Sequence, residues 1–228
     1  MTTRRTTWRV PTALVALGAV PVIAGSLRLV ELTGAAATMP SNPRFAASPV
    51  PVVVHILSAM VFALLGAFQF SARLRRQHPG WHRRAGRILV VAGLGVALSA
   101  LWLNQFFPRA GASREVLYPL RLVFGVAMVV TIVLGFLAAR RRDFARHRAW
   151  MTRSYAIGLV AGTQVLTLGV GGAVFGHGPV MTALLMGAAW GVNLAVAEWA
   201  IRRRPARRRP AGRRPALPAG PRRAGALP

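Results

Sequence analysis

Of the 228 residues, 54% are hydrophobic and 15% are charged, against roughly 25% charged in soluble globular domains. Lipid rather than water is the expected solvent for such a chain. The net charge of +26 comes from 30 basic and 4 acidic residues with no cysteine, which excludes a disulfide framework, a thiolate metal site and a cysteine nucleophile.

The basic residues counted there are all arginine, and Ala, Gly, Pro and Val are abundant, a composition expected of a GC-rich bacterial genome. Residues 1–10 are polar and basic, with Arg4, Arg5 and Arg9. Residues 11–30 form an apolar run of the length, about 20 residues, that crosses ~30 Å of hydrocarbon. Arg28 and Glu31 stand one helical turn apart near its end, placed to pair at the interface. A basic start, an apolar core and Ala35-Ala36-Ala37 also fit a signal peptide. The length of the run, and the two charges ahead of the alanines, favour an uncleaved first helix.

A polar loop with Pro40 and Pro43 leads to a second span, 51–70, with His55 about one turn inside it. The third span, 88–107, ends on Asn104 and Gln105. The fourth, 117–138, carries Tyr118 and Arg121 in its first turns, and the fifth, 154–174, holds Gln164 near its middle. Gly158 and Gly162 in that fifth span have the four-residue spacing that lets helices approach closely. A Gly-rich turn with His177 precedes the sixth span, 180–201, which contains Asn193 and Glu198. Residues 202–228 hold ten arginines and no acid among Pro, Ala and Gly, a composition that self-repels and blocks helix, so disorder is expected there. The expected fold class is all-α: an integral membrane bundle of six transmembrane helices, with a four-helix core from spans two to five.

Two basic clusters fix the orientation. They read RLRRQHPGWHRRAGR over 73–87 and RRRDFARHRAWMTRSY over 140–155. The N-terminus, the two clusters and the tail hold 3, 6, 6 and 10 arginines, together 25 of the 30. Six spans place all four segments on one side, which the positive-inside rule makes the cytoplasm of a bacterial inner membrane. Trp8, Trp81, Trp150 and Trp199 fall near the same boundary, where interfacial tryptophans collect. The expected partner is the bilayer, with anionic headgroups at the cytoplasmic face. A tail tethered beside those headgroups meets them before any nucleic acid.

The residues flanking the clusters carry a resemblance. The first half is His55, Gln69-Phe70, Leu74-Arg75, Pro79, His82-Arg83 and Gly86-Arg87; the second is Arg142-Asp143, His147 to Met151, Arg153 to Ala156 and Ala161 to Gln164. In these the chain resembles the bacterial predicted-membrane-protein family of domain of unknown function 2306, over roughly residues 50–170. The resemblance implies a multi-span helical membrane protein and carries no activity with it. The first span, the sixth span and the tail lie outside it.

Ionisable groups at membrane depth are candidate functional sites. His82 and His147 begin the third and fifth spans, diagonal helices of an up-down bundle, at one depth. Two facing imidazoles suit a six-coordinate haem b, with Arg87 and Arg153 to hold its propionates. The arrangement is similar to that of membrane cytochromes of the b561 type, without their extended motifs. On a helix, Asp143 could orient the His147 ring. The competing reading makes both histidines interface markers among arginines that bind lipid phosphates. On the other side, His55 and Arg121, with Tyr118, Asn104 and Glu115 at a similar height and Gln164 as a further candidate, form a polar cluster that is either structural or ligand-binding. Gln164 and Asn193 are placed for hydrogen bonds between helices. No P-loop, HExxH or nucleophile elbow is present. Transport would call for more intramembrane acids, or for an inverted repeat with broken helices. Three readings follow: a non-enzymatic lipid-, ligand- or partner-binding membrane protein, a haem b cytochrome or redox subunit, and a small transporter.

Overall fold

A computed structural model of the chain describes residues 8–35, 49–106 and 113–203. The expected disorder of the tail beyond Arg203, and most of the loop before the second span, lie outside the described residues. In order, the elements are α1 (Arg9–Leu32), α2 (Pro49–Gln69), α3 (Ala72–Gln77), α4 (Pro79–Phe106), α5 (Ser113–Arg140), α6 (Phe144–Gly158), α7 (Val160–Phe175) and α8 (Pro179–Arg202). Five helices are long and apolar enough to cross a bilayer, and α6 with α7 makes a sixth when the bent pair is counted as one span. Helices keep backbone polar groups paired within one segment, which hydrocarbon requires.

Two helices begin earlier than hydropathy alone indicates. The third span starts at Pro79 and the fifth at Phe144, so most of each basic cluster is helical, apart from His78 and the turn 141–143. Proline fits the first helical position, arginine is a good helix former, and its long stem lets the charge reach the interface. Asp143 caps α6 by accepting the Arg146 N–H at 3.0 Å. The turn before it is closed by Arg142 at φ 60°, with Arg142 N–H to Ala139 O at 3.0 Å and Asp143 N–H to Ala138 O at 2.9 Å. That pair of bonds is a Schellman closure, with a residue in the left-handed region where glycine is usual.

The bundle is a ring of α2, α4, α5 and α6, each packed on its neighbours, with α8 against α5 and α6, α7 against α8, and α1 against α2 and α7. α6 therefore touches helices on nearly every side, and it buries Ser154, Tyr155 and Ile157. The core around it contains Phe62, Met128, Ile132 and Trp190. The Tyr155 ring sits 5.6 Å from Phe62 and 5.1 Å from Phe70, and its hydroxyl donates to Ala63 O at 2.7 Å. Gly66 makes room for that ring: a Cβ there would collide with Tyr155 Cε2. Trp190 stacks on Phe124 at 4.7 Å.

The fifth span is not one helix. α6 and α7 meet at Leu159 with a bend of 47°, behind Gly158. Such a kink releases helix carbonyls that must find other donors. Asn193 of α8 supplies one: its Nδ2 donates to Ala156 O at 2.9 Å, while its Oδ1 accepts from Thr163 Oγ1 at 2.7 Å. One side chain thus bridges both halves of the broken span. Gln164 Nε2 donates to Met186 O at 3.3 Å, so both mid-membrane amides join α8 to the fifth span. α1 closes the assembly at Gly162, where a Cβ would overlap the carbonyl oxygen of Leu17.

Candidate functional site

The arginine-rich end is assembled from the α2–α4 corner, the start of α6 and the end of α8. Ser71 caps α3 by accepting the Leu74 N–H at 3.3 Å, and His82 follows on the first turn of α4. His147 occupies the first turn of α6, with Nδ1 2.8 Å from Gly135 O. A carbonyl only accepts, so Nδ1 carries a proton in this contact. Arg75 and His147 are the electrostatic neighbours of His82, and the two histidines begin helices at the same end of the bundle. Asp143 does not orient His147: its carboxylate faces the Arg146 N–H, and the ring is held by the backbone of α5 instead.

Arg153 is committed elsewhere. Its Nε and Nη2 grip Glu198 of α8 at 2.5 and 3.1 Å, and its guanidinium lies 4.8 Å from the centre of the Trp150 ring. Arg202 approaches the same carboxylate at 3.9 Å. This two-pronged bond ties α6 to α8, with two of the Arg153 donors already used. Arg83, Arg84, Arg87 and Arg148 are exposed around the rim of this end, and Trp199 at 55% exposure carries Arg203 over its ring at 4.3 Å. Gln69 Nε2 and Ser154 Oγ are buried here without a hydrogen-bond partner. Ser154 lies seven residues past His147, on the same face of α6. If a haem were held here, His82 and His147 would be its candidate ligands, whereas Arg153 is engaged by Glu198 and Arg87 lies on the exposed rim.

At the opposite end, His55 Nδ1 lies 3.0 Å from Ser99 Oγ. Ser99 Oγ itself stands 2.5 Å from Gly95 O and 3.1 Å from Val96 O. Arg121 is a charged neighbour of His55. Asn104 Nδ2 donates to Tyr118 O at 3.1 Å, and Tyr118 OH to Gln105 Oε1 at 2.7 Å; these bonds lock α4 to α5 where the two helices meet. Gln164 belongs to the α7–α8 contact and not to this cluster. His177 folds its ring over Gly172. Among the described residues, no three of His, Cys, Asp and Glu come together as a metal site. A cavity of about 140 Å³ opens beside His55, between α1, α2 and the α6–α7 break.

Two partnerships here were not legible beforehand. Ser99 has no motif around it, and its tie to His55 spans 44 positions. Arg153 and Glu198 were each conspicuous, an arginine and the one acid near a helix interior, but their pairing depends on how α6 lies on α8.

A family model described as a predicted membrane protein matches residues 52–201. The match extends past residue 170 and takes in the sixth span, α8, whose Asn193 and Glu198 hold the fifth. No curated protein and no solved structure matches the chain.

Proposed function

The chain belongs to the DUF2306 family of predicted membrane proteins, and we propose that it works as a non-enzymatic binding protein of the bacterial cytoplasmic membrane. Its arginine-rich end faces the cytoplasm and holds anionic lipid headgroups. The observation that carries this reading is the rim of exposed arginines, Arg83, Arg84, Arg87 and Arg148, set beside Trp81 and Trp199 at one end of an apolar bundle. Guanidinium groups bind phosphate oxygens bidentately, and tryptophan settles at headgroup depth.

Native mass spectrometry of the detergent-purified protein tests it. Phosphatidylglycerol should be retained in preference to phosphatidylcholine. At about 1 kcal/mol per arginine near an anionic surface, the combined change of Arg83, Arg84, Arg87 and Arg148 to Gln should weaken that retention by roughly a hundredfold or more. Equal retention of the two lipids would remove the reading.

A second reading, haem b between His82 and His147, draws on their place at one end of the bundle and on the contact of His147 Nδ1 with Gly135 O, which makes Nε2 the candidate ligand atom. The same preparation decides it. A Soret band lost in His147→Ala supports haem ligation, and a colourless protein from haem-replete cells rules it out.

A further inference from the structure

The cavity beside His55 carries an inference of its own. Its walls come from three elements: Pro21 and Gly25 of α1, His55 and Ala59 of α2, and Leu159 with Ala161 at the break in the fifth span. It sits at that break, with Gly158, Leu159 and Ala161 in its wall. About 140 Å³ is close to the roughly 150 Å³ that takes up one benzene ring. The lining is apolar apart from the imidazole, and a water would need two to four polar partners there.

The protonation of the ring follows from its neighbours. Ser99 has a single hydroxyl proton and two backbone carbonyls within reach, Gly95 O and Val96 O. It therefore turns a lone pair to His55, whose Nδ1 carries the imidazole proton and donates to it at 3.0 Å. With Nδ1 so engaged, Nε2 is the acceptor the ring can offer to the cavity it lines. A cation is a poor occupant beside Arg121, with no second metal ligand grouped there among the described residues. What suits the space is one six-membered ring bearing a hydrogen-bond donor. Ile23, Leu27 and Leu57, on the same two helices, are exposed apolar residues, so the occupant arrives through hydrocarbon.

We propose that this cavity binds the phenolic ring of a lipid-soluble molecule, a hydroquinone or a long-chain phenol, whose hydroxyl donates to Nε2 of His55. The proposal deepens the reading of the chain as a binding protein but uses the end away from the arginines, so either can fail alone.

The test uses the full chain in phosphatidylcholine nanodiscs, with binding followed by saturation-transfer NMR against empty nanodiscs. The probes are 4-hexylphenol and 4-hexylanisole, which share the ring and tail, but only the phenol has a donor. Wild type should bind the phenol saturably, with the anisole about tenfold weaker for the loss of one hydrogen bond in an apolar site. His55→Phe keeps the ring shape and should bring the phenol down to the anisole's level. Ala161→Phe, at an exposed position on the rim, should fill the cavity and abolish binding of both. Changing the four rim arginines to Gln should leave phenol binding unchanged. Equal binding of the two probes by wild type, or no binding beyond empty nanodiscs, overturns the proposal without recourse to any variant.

Discussion

Replacing Gly162 by valine should unseat α1 and lower stability by about 3 kcal/mol or more, at the upper end of what overpacking costs. The magnitude follows from what the new side chain would meet. A Cβ at Gly162 overlaps the Leu17 carbonyl oxygen and comes within 3.0 Å of Leu17 Cγ. A side chain in that place could rotate aside, but a helix carbonyl cannot, so α1 as a whole must shift. Gly169, on the same helix, is the matched control: a Cβ there meets nothing within 4 Å. Gly169→Val should therefore stay within about 0.5 kcal/mol of wild type, as surface changes do. Thermal unfolding in detergent separates the two. Equal midpoints for the two variants would mean that α1 does not pack on α7 as described.

Asn193→Leu should be the next most damaging single change, at about 2 kcal/mol. It removes the bonds to Ala156 O and Thr163 Oγ1 and leaves both groups unpaired inside the bundle. Unpaired buried groups cost about 1–3 kcal/mol each in soluble proteins, whereas hydrogen bonds measured within membranes average near 0.6, which places the sum between. Thr163→Val loses one bond of the two and should cost about half as much. Hydrogen exchange at the α6–α7 junction gives a local readout: Asn193→Leu should speed exchange of the amides of residues 158–162. Unchanged exchange at the break, with ordinary stability, would show that the bend holds itself without α8.

The legible part of the fold was what lipid imposes. Apolar length marked the helices long enough to cross a bilayer, with the fifth span as a bent pair. The pairing of Arg28 with Glu31 and the inter-helix bonds of Gln164 and Asn193 also came from spacing and depth, because a polar group in a bundle has few partners to choose from. Helix starts were less visible. The turns from Pro79 to Arg87 and from Phe144 to Arg153 are charged, and hydropathy reads charge as loop even where arginine sustains a helix. The break at Leu159 was hidden for a different reason. Gly158 and Gly162 signal close packing and kinking equally well, and only the position of Asn193 on another helix distinguishes them. At the candidate sites, the placing of His82 and His147 at one end of the bundle followed from topology. The donors and acceptors that set each ring, Gly135 O for His147 and Ser99 for His55, depend on helix rotation, which a single sequence does not display.

The proposed orientation puts the arginine-rich end of the bundle at the cytoplasm and the His55 end outside. The absence of cysteine from the chain makes a direct measurement clean, because a single introduced thiol is the only one present. Gln77, at the end of α3, and Gly178, in the turn before α8, are both exposed and lie at opposite ends. With a membrane-impermeant maleimide on intact bacterial cells, Gly178→Cys should label at once, and Gln77→Cys should label only after permeabilisation. Labelling of Gln77→Cys in intact cells, with Gly178→Cys protected, would invert the bundle and contradict the account.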